Sequence, residues 1–180
     1  MFSHSLANGL NLKVLEVRHA SVVYEAVERN REYLGRWLPW VDKTHSVDDV
    51  EAFIKMSLEQ FAANQGFAAG IFRGPECIGT VGFHRVDWPN KKVEIGYWIE
   101  ETSQGKGIIT EGCRAALDHA FREWGLNRVE IHCAAGNDKS CAIPKKLGFQ
   151  FEGVRREGQI LNGTPVDINV YSLLAREWRS

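Results

Sequence analysis

The sequence predicts one mixed α/β (α+β) domain over residues 1–180, and three observations lead to it. The length of 180 residues suits a single domain. No linker, internal repeat or low-complexity tract divides the chain. Segments that alternate between apolar and polar residues are interleaved with segments of helical periodicity, which gives the order β-α-α-β-β-β-α-β-α-β-β.

The first third of the chain predicts one strand followed by two helices. Residues 10–17 alternate and indicate a strand, and residues 19–34 carry an apolar stripe that indicates a helix. Ser46 and Asp49 have the spacing of a capping box and precede a second apolar stripe. A second helix is therefore expected to begin at this point.

The middle of the chain predicts three consecutive strands and a long helix. The strands cover residues 66–73, 76–86 and 92–99, because each run is rich in strand-forming residues and is bounded by turn residues. Glycines at 105–107 lead into a third amphipathic helix, which ends at Gly125.

The last third predicts a strand, a short helix and a β-hairpin. The strand covers residues 128–135 and the helix residues 138–147. Two alternating runs, 149–161 and 165–174, are joined by an Asn-Gly pair, which is typical of a tight hairpin.

Composition and charge exclude several classes of function. The chain has 22 Lys and Arg against 23 Asp and Glu, a formal charge of −1, whereas non-specific nucleic-acid binding needs a basic excess. No apolar run is long enough to span a bilayer, and Met1–Leu10 lacks the pattern of a secretion signal. The 4 cysteines and 6 histidines show no metal-ligand spacing. We therefore expect a cytoplasmic protein with no metal site, bound to neither nucleic acid nor membrane.

The most informative stretch is a glycine loop that joins a strand directly to a helix. Backbone N–H groups and the positive end of the helix dipole meet at Gln104-Gly105-Lys106-Gly107, which suits a phosphate or pyrophosphate. The dinucleotide-binding fingerprint is incomplete, because its third glycine is replaced by Thr110. An ordinary tight turn is the alternative interpretation of this loop alone.

A second pattern lies downstream and completes a resemblance. The strand over 128–136 is followed by Asn137, two residues and Ser140, and then by a short helix that closes with Leu-Gly-Phe at 147–149. With the stretches EIGYWI, GKGI and LGRWLPW, these residues resemble motifs A and B of the GCN5-related N-acetyltransferases (GNAT). They are most similar to the branch that acetylates ribosomal proteins (Rim-type). The resemblance covers about residues 10 to 178.

The resemblance implies a mixed, mostly antiparallel sheet flanked by about four helices, in which the strands over 92–99 and 128–136 splay apart. Acetyl-CoA would lie in the gap as co-substrate, its pyrophosphate on the loop 104–109 and its pantetheine arm on the parted strand edge. The implied cofactor-binding residues are Ile99, Gln104, Gly105, Lys106, Gly107, Ile108, Ile109, Asn137 and Ser140.

The resemblance also bears on the proton donor for the departing thiolate. The tyrosine usual in the superfamily falls at Pro144, so Ser140 becomes the candidate acid, unless it only caps its helix. Asn137 is interpreted either as a turn residue or as a ligand of the pantetheine amide. Pro144 has no N–H, so the Ser140 carbonyl is left free for another contact. A backbone N–H near Ile99 is the candidate oxyanion donor.

The general base is ambiguous. The position aligned with a carboxylate of some Rim-type enzymes holds Gln159, whereas Glu157 lies two residues earlier and was expected on the same strand face. Glu94, on the splayed strand, is the other candidate. A structural ion pair is the alternative interpretation for each carboxylate.

Four aromatic side chains are candidates for the acceptor groove: Trp37, Trp40, His84 and Tyr97. Core packing is the alternative for each of them. Residues 41–60, on the expected acceptor side, carry a net charge of −3, whereas residues 138–156, beside the expected CoA cleft, carry +3. This polarity suits a cationic amine and an anionic cofactor.

The sequence thus predicts an acetyl-CoA-dependent N-acetyltransferase acting on a primary amine, with the N-terminal α-amine of a ribosomal protein as the expected acceptor. The alternatives are a small amine (a polyamine or an aminoglycoside), a non-catalytic acetyl-CoA-binding regulatory module, and a protein that binds ATP or NAD. The hairpin over 149–174 makes a homodimer an expectation as well.

Overall fold

The computed structural model describes residues 3–179, which form one eight-stranded sheet with helices on both faces. The strands are β1 (Ser3–Ser5), β2 (Leu10–Val14), β3 (Ala68–Arg73), β4 (Glu76–Asp87), β5 (Lys92–Ile99), β6 (Arg128–Ala134), β7 (Gln150–Leu161) and β8 (Thr164–Leu174). The helices are α1 (Ala20–Arg29), α2 (Arg31–Gly35), α3 (Val47–Ala62), α4 (Ile108–Asp118) and α5 (Asp138–Lys146). No helix within this part of the chain is long and apolar enough to cross a membrane.

The predicted order of elements is confirmed, with one strand added at the beginning. β1 has only three residues, too short for alternation to reveal it, and it pairs with β2. The first predicted strand ends at Val14 rather than at residue 17. Residues 17–19 form a 3₁₀ turn, because Glu16 and His19 cap each other's backbone N–H groups.

The helix predicted over 19–34 is divided in two at Asn30. The Asn30 side-chain amide donates to the carbonyl of Ala26 (2.8 Å), and its oxygen accepts from the backbone N–H of Glu101 (3.0 Å). A side chain that competes for backbone groups in this way favours a helix end. The break fixes α2 against the loop that follows β5.

The capping box that was predicted before α3 is present. Asp49 N–H donates to Ser46 Oγ (3.3 Å), and the Asp49 carboxylate accepts from Ser46 N–H (2.9 Å). The predicted tight hairpin between β7 and β8 is also confirmed. Asn162 and Gly163 have φ values of 49° and 77°, the left-handed conformation that such a turn requires.

The sheet has the order β1-β2-β3-β4-β5-β6-β8-β7, and among its neighbours only β5 and β6 are parallel. Their pairing covers just three residues, Lys92–Glu94 opposite Arg128–Glu130. Beyond this point the two strands separate, which confirms the expected splay.

The core lies on both faces of the sheet. On one face α4 and α5 pack against β4, β5 and β6 through residues such as Phe83, Ile95 and Leu117. On the other face α1 and α3 pack against β3 and β4 through residues such as Val23 and Ile54. Because helices cover both faces, the gap between β5 and β6 opens into a cavity with walls on each side.

Candidate active site

The gap between β5 and β6 forms part of a cavity of about 910 Å³. Its lining includes the glycine loop and α5, and also aromatic residues of α2 and of the segment after it. The predicted cofactor contacts and the four predicted acceptor residues lie along this one cavity, apart from Lys106, which lies in the loop beside it.

The glycine loop presents an open N terminus of α4 to the cavity. Gly105 and Gly107 have φ values of 72° and 79°, and Gly107 is the N-cap of the helix. No protein atom lies within 4 Å of a Cβ built at either glycine, so the backbone N–H groups can approach an anion closely. Ile108 and Ile109 anchor the first turn in the core, where they are 6% and 5% exposed. This geometry suits the pyrophosphate of a coenzyme.

Gln104 joins the glycine loop to both sides of the cleft. Its side-chain amide donates to the Tyr33 hydroxyl on α2, and its oxygen accepts from Lys139 Nζ on α5 (2.6 Å). Lys106 turns back on the loop and donates to the carbonyl of Thr102 (2.9 Å). Sequence reasoning singled out Gln104 but missed Tyr33, since 71 residues separate the two partners.

The free edge of β5 supplies backbone donors to the gap. Glu100 N–H donates to the carbonyl of Ile78 on β4 (2.8 Å). In an antiparallel pair the residues that bond to the neighbour alternate, so the N–H groups of Tyr97 and Ile99 point away from β4 and into the gap. These groups can bind a pantetheine amide or a thioester oxygen, as was expected for Ile99.

At the start of α5 the two predicted residues have different structural roles. Asn137 is the N-cap of the helix, because its side-chain oxygen accepts from the N–H of Ser140 (3.1 Å). Ser140 therefore does not cap the helix, and the capping interpretation of its hydroxyl is wrong. The hydroxyl faces the cavity and donates to Tyr97 Oη (3.4 Å).

Pro144 leaves the Ser140 carbonyl without its usual helical partner, and Tyr97 takes that place. The phenol of Tyr97 donates to this carbonyl (3.0 Å). Burial raises the pKa of Tyr97 well above its usual value, so the phenol stays protonated. Tyr97 thus lies on the α5 side of the gap, bonded to Ser140, and its predicted place in the acceptor groove stays a prediction.

A row of charged side chains begins on the opposite face of the gap. Glu94 Oε2 lies 3.3 Å from His132 Nδ1 and 3.5 Å from an Arg85 guanidinium nitrogen. His132 Nε2 in turn lies 2.8 Å from Glu130. Sequence reasoning missed His132, since its contacts arise from the pairing of β5 with β6.

These contacts set the charges of the row. The hydrogen bond that Glu94 accepts from His132 raises the pKa of His132 against the effect of burial, and Glu130 adds to it. Burial alone would raise the pKa of Glu94, but the contacts with His132 and Arg85 outweigh it and lower that pKa. Glu94 is thus a paired carboxylate, and its contact with His132 favours the protonated form of that imidazole.

His84 lies next to this row and is open to the cavity. It stands directly opposite Glu94 in the register of β4 and β5, and its ring lies over Gly96. The surrounding strands desolvate the ring and lower the pKa of His84, although Glu94 acts in the opposite direction. His84 is nevertheless exposed and lines the cavity.

The two predicted tryptophans lie on the far wall of the cavity. Trp37 packs against Ala134, Leu161 and Ile168 while lining the cavity. Trp40 is 37% exposed, and its ring centroid lies 6.2 Å from that of Trp98. Trp37 therefore packs on the core while it lines the cavity, whereas Trp40 lines the cavity and contacts Trp98.

Glu157 lies on an exposed part of β7 and, unlike Gln159, does not line the cavity. The register of β7 against β8 slips between Arg155 and Gln159, and Glu157 has a φ of 50°. Because of this bulge, the two positions do not share a strand face as expected. Its role as a base stays a prediction without support from this placement.

A strand pair that separates beside a glycine loop, with a hydroxyl on one face and ionisable groups on the other, defines a coenzyme-dependent acyltransferase site. The acetyltransferase (GNAT) domain family matches residues 10–150, and the chain belongs to this family. It is an acetyl-CoA-dependent N-acetyltransferase with relatives of the Rim type.

Three similar proteins illustrate this membership. YdaF of Bacillus subtilis (strain 168), provisionally named a ribosomal N-acetyltransferase, is 39% identical over 99% of this chain and 98% of its own. The solved structure of RimL, a ribosomal L7/L12 alpha-N-protein acetyltransferase in complex with coenzyme A, has a TM-score of 0.91 at 25% identity and covers 96% of this chain and 98% of its own. The microcin C7 self immunity acetyltransferase MccE, in complex with acetyl-CoA and AMP, has a TM-score of 0.86 at 29% identity over 92% of each chain.

The residues of this chain fit the cofactor that these two structures contain. The pyrophosphate of coenzyme A fits the open backbone at Gly105 and Gly107, with Lys139 nearby. The pantetheine fits the free amides of β5. Acetyl-CoA is therefore the co-substrate.

Proposed function

We propose that this chain transfers the acetyl group of acetyl-CoA to the α-amine of a protein N terminus, with a ribosomal protein as the acceptor. The observation that carries the proposal is the extension of the cavity beyond the gap into a groove lined by Trp37, Trp40 and Trp98. Two acidic residues, Asp49 and Glu101, line the same cavity. Aromatic walls and acidic groups suit a peptide that enters with a cationic amine at its end. The names of YdaF and RimL point to the same acceptor.

The ionisation of the acceptor favours an α-amine over a lysine side chain. An α-amino group with a pKa of about 8 is roughly one-fifth neutral near neutral pH, whereas a lysine is neutral about one time in a thousand. Attack on the thioester needs the neutral amine. The described cavity offers hydroxyl, imidazole and paired carboxylate groups, which suffice for an amine that ionises easily.

We propose that the Ser140 hydroxyl donates the proton to the departing thiolate. Its hydroxyl faces the cavity beside Tyr97, and the phenol fixes the first turn of α5 through the Ser140 carbonyl. The backbone N–H of Ile99 or Tyr97 would bind the oxyanion of the tetrahedral intermediate. Asn137 holds its helix cap with the side-chain oxygen, so its amide N–H₂ group is left to contact pantetheine.

The test incubates the protein with acetyl-CoA and each member of a panel of acceptors, and it measures the free CoA that is released. The panel contains peptides that begin with Ser or Ala, the same peptides with a blocked N terminus and an internal lysine, spermidine, and an aminoglycoside. We expect turnover with the free N termini and mass-spectrometric localisation of the acetyl group on the α-amine.

Other outcomes would replace the proposal. Turnover confined to spermidine or to the aminoglycoside would make the protein a small-amine acetyltransferase. Acetyl-CoA binding without CoA release from any acceptor would indicate the regulatory module. Equal turnover of blocked and free peptides would contradict the preference for an α-amine.

A further inference from the structure

We propose that His84 is the catalytic base that removes the proton from the acceptor ammonium, and that Glu94 and His132 position and stabilise it; this rests on the proposed function. No sequence motif identifies His84 as a base. The assignment comes from the juxtaposition of His84, Gly96 and Glu94 where β5 leaves β6.

Gly96 allows the His84 ring to reach the gap. A Cβ on residue 96 would lie 2.7 Å from His84 Nε2 and 2.8 Å from its Cδ2, closer than such atoms approach in proteins. The ring therefore lies across β5 in space that only a glycine leaves free. Nε2 faces this strand two residues beyond Glu94, the last residue that β5 pairs with β6.

The two sides of the gap carry complementary proton chemistry. Ser140 and Tyr97 lie on the face covered by α4 and α5, where the thiolate would leave. His84 and Glu94 lie on the face covered by α1 and α3, on which the tryptophan groove opens. An amine that enters from the groove meets His84 before it reaches the thioester.

Glu94 is a weaker candidate for the base than its neighbour. Its carboxylate is engaged by His132 (3.3 Å) and Arg85 (3.5 Å), and its proton affinity is reduced accordingly. The His84 side chain has no hydrogen-bond or ion-pair partner among residues 3 to 179, and it is open to the cavity. Glu94 instead lies where a carboxylate can stabilise the imidazolium that forms on His84.

The reaction balances in protons and electrons. His84 Nε2 takes one proton from R–NH₃⁺, and the nitrogen lone pair then forms the C–N bond to the thioester carbon. The C–S bond breaks and its electron pair leaves on sulfur. The second nitrogen proton replaces the one that Ser140 gives to the thiolate, so the products are the amide and CoA–SH. The proton on His84 passes to solvent through the open cavity.

The charged groups that face His84 come from three strands and one helix. Arg85 is its neighbour on β4, Glu94 lies opposite on β5, and His132 on β6 contacts Glu94. Asp49 of α3 lines the same cavity. Since Glu94 is the anion directly opposite, its removal should lower the apparent pKa of His84.

The experiment measures kcat and KM from pH 5.5 to 9 with acetyl-CoA and the Ser-initiated peptide. We expect His84→Gln to lower kcat about a hundredfold with an unchanged Kd for acetyl-CoA. In the unaltered enzyme, kcat should be half-maximal at or below the ordinary histidine pKa of about 6.5. In the variant it should keep rising until the amine itself deprotonates near pH 8. His4→Gln, on the exposed strand β1, is the matched control and should match the unaltered enzyme.

Chemical rescue separates a base from a structural residue. Imidazole at tens of millimolar should restore His84→Ala at least tenfold, and it should leave His4→Ala unchanged. Glu94→Gln should lower kcat and shift the acidic limb to lower pH. If the unaltered enzyme turns over and His84→Gln has the same kcat and pH profile, this inference is overturned and the proposed function is not. Failure of the unaltered enzyme with every acceptor would overturn it together with the proposed function.

Discussion

At the scale of single residues, the most consequential contact is the one that Pro144 makes available. A proline in the second turn of α5 removes one helical hydrogen bond, and Tyr97 occupies the vacant Ser140 carbonyl from 43 positions earlier in the chain. This contact ties α5 to β5 across the closed side of the gap. Ser140 is thereby held with its hydroxyl in the cavity instead of at the helix terminus.

Replacing Ser140 with alanine should slow turnover tenfold or more, because the thiolate then leaves without a nearby proton donor. The Kd for acetyl-CoA should change little, since the helix cap belongs to Asn137. Steady-state kinetics and calorimetric titration with acetyl-CoA measure the two quantities. Unchanged turnover in the variant would show that water protonates the thiolate and that the hydroxyl is dispensable.

The residue scale also shows how far sequence reasoning reaches. The free carbonyl of Ser140 was predictable, because a proline at i+4 removes its donor by covalent chemistry alone. Its partner was not predictable, since the pairing of Tyr97 with Ser140 depends on tertiary packing. His132 and Glu157 illustrate the same limit. One gains its role from a strand neighbour, and the other is moved away from the cavity by a bulge.

At the scale of elements, the junction between β5 and α4 is the part of the site that local rules define best. Its glycines adopt positive φ, its helix begins at Gly107, and two isoleucines fix the first turn. Each of these features follows from residues adjacent in sequence, which explains why the loop was predictable as an anion site. The break between α1 and α2 at Asn30 was not predictable, because it depends on the distant backbone of Glu101.

Gly107→Ala should weaken acetyl-CoA binding about tenfold, because the new Cβ projects into the space that the pyrophosphate needs. Gly125→Ala is the matched control. Both glycines have positive φ (79° and 63°), and neither added Cβ meets a protein atom within 4 Å. Both variants should therefore lose about 1 kcal/mol of stability from backbone strain, whereas only Gly107→Ala should raise the Kd. If the Kd for acetyl-CoA rises similarly in both variants, the weaker binding results from lost stability and not from contact with the pyrophosphate.

At the scale of the whole molecule, the row of charges at the gap continues across the second half of the sheet. Arg128 on β6 donates to Glu130 (2.9 Å) and to Glu152 on β7 (2.5 Å), and Ser172 on β8 donates to Glu152 (2.6 Å). Glu152 on β7 thereby accepts hydrogen bonds from both β6 and β8. The chain thus joins the active site to the hairpin through polar contacts as well as through the backbone ladder.

The acid stability of the protein should depend on Glu152. The hydrogen bonds from Arg128 and Ser172 lower the pKa of this carboxylate from 4.5 to about 2. A folded-state pKa below the unfolded value stabilises the fold above pH 4.5, and that contribution disappears as the pH falls toward 2. Urea titrations of Glu152→Gln should therefore show a deficit in unfolding free energy at pH 6 that vanishes near pH 2. A constant deficit over this range would contradict the assignment.

The short pairing of β5 with β6 also has a consequence for amide exchange. Two inner strand edges border the gap, and N–H groups on them, including those of Tyr97 and Ile99, face into it. Bound pantetheine completes this ladder in the way that an added strand would. At a hundred times its Kd, a ligand that binds only the folded state adds about 2.7 kcal/mol to the stability. Deuterium uptake in β5 should then slow when acetyl-CoA is present, and the lifetime of the folded enzyme should follow the supply of its own co-substrate.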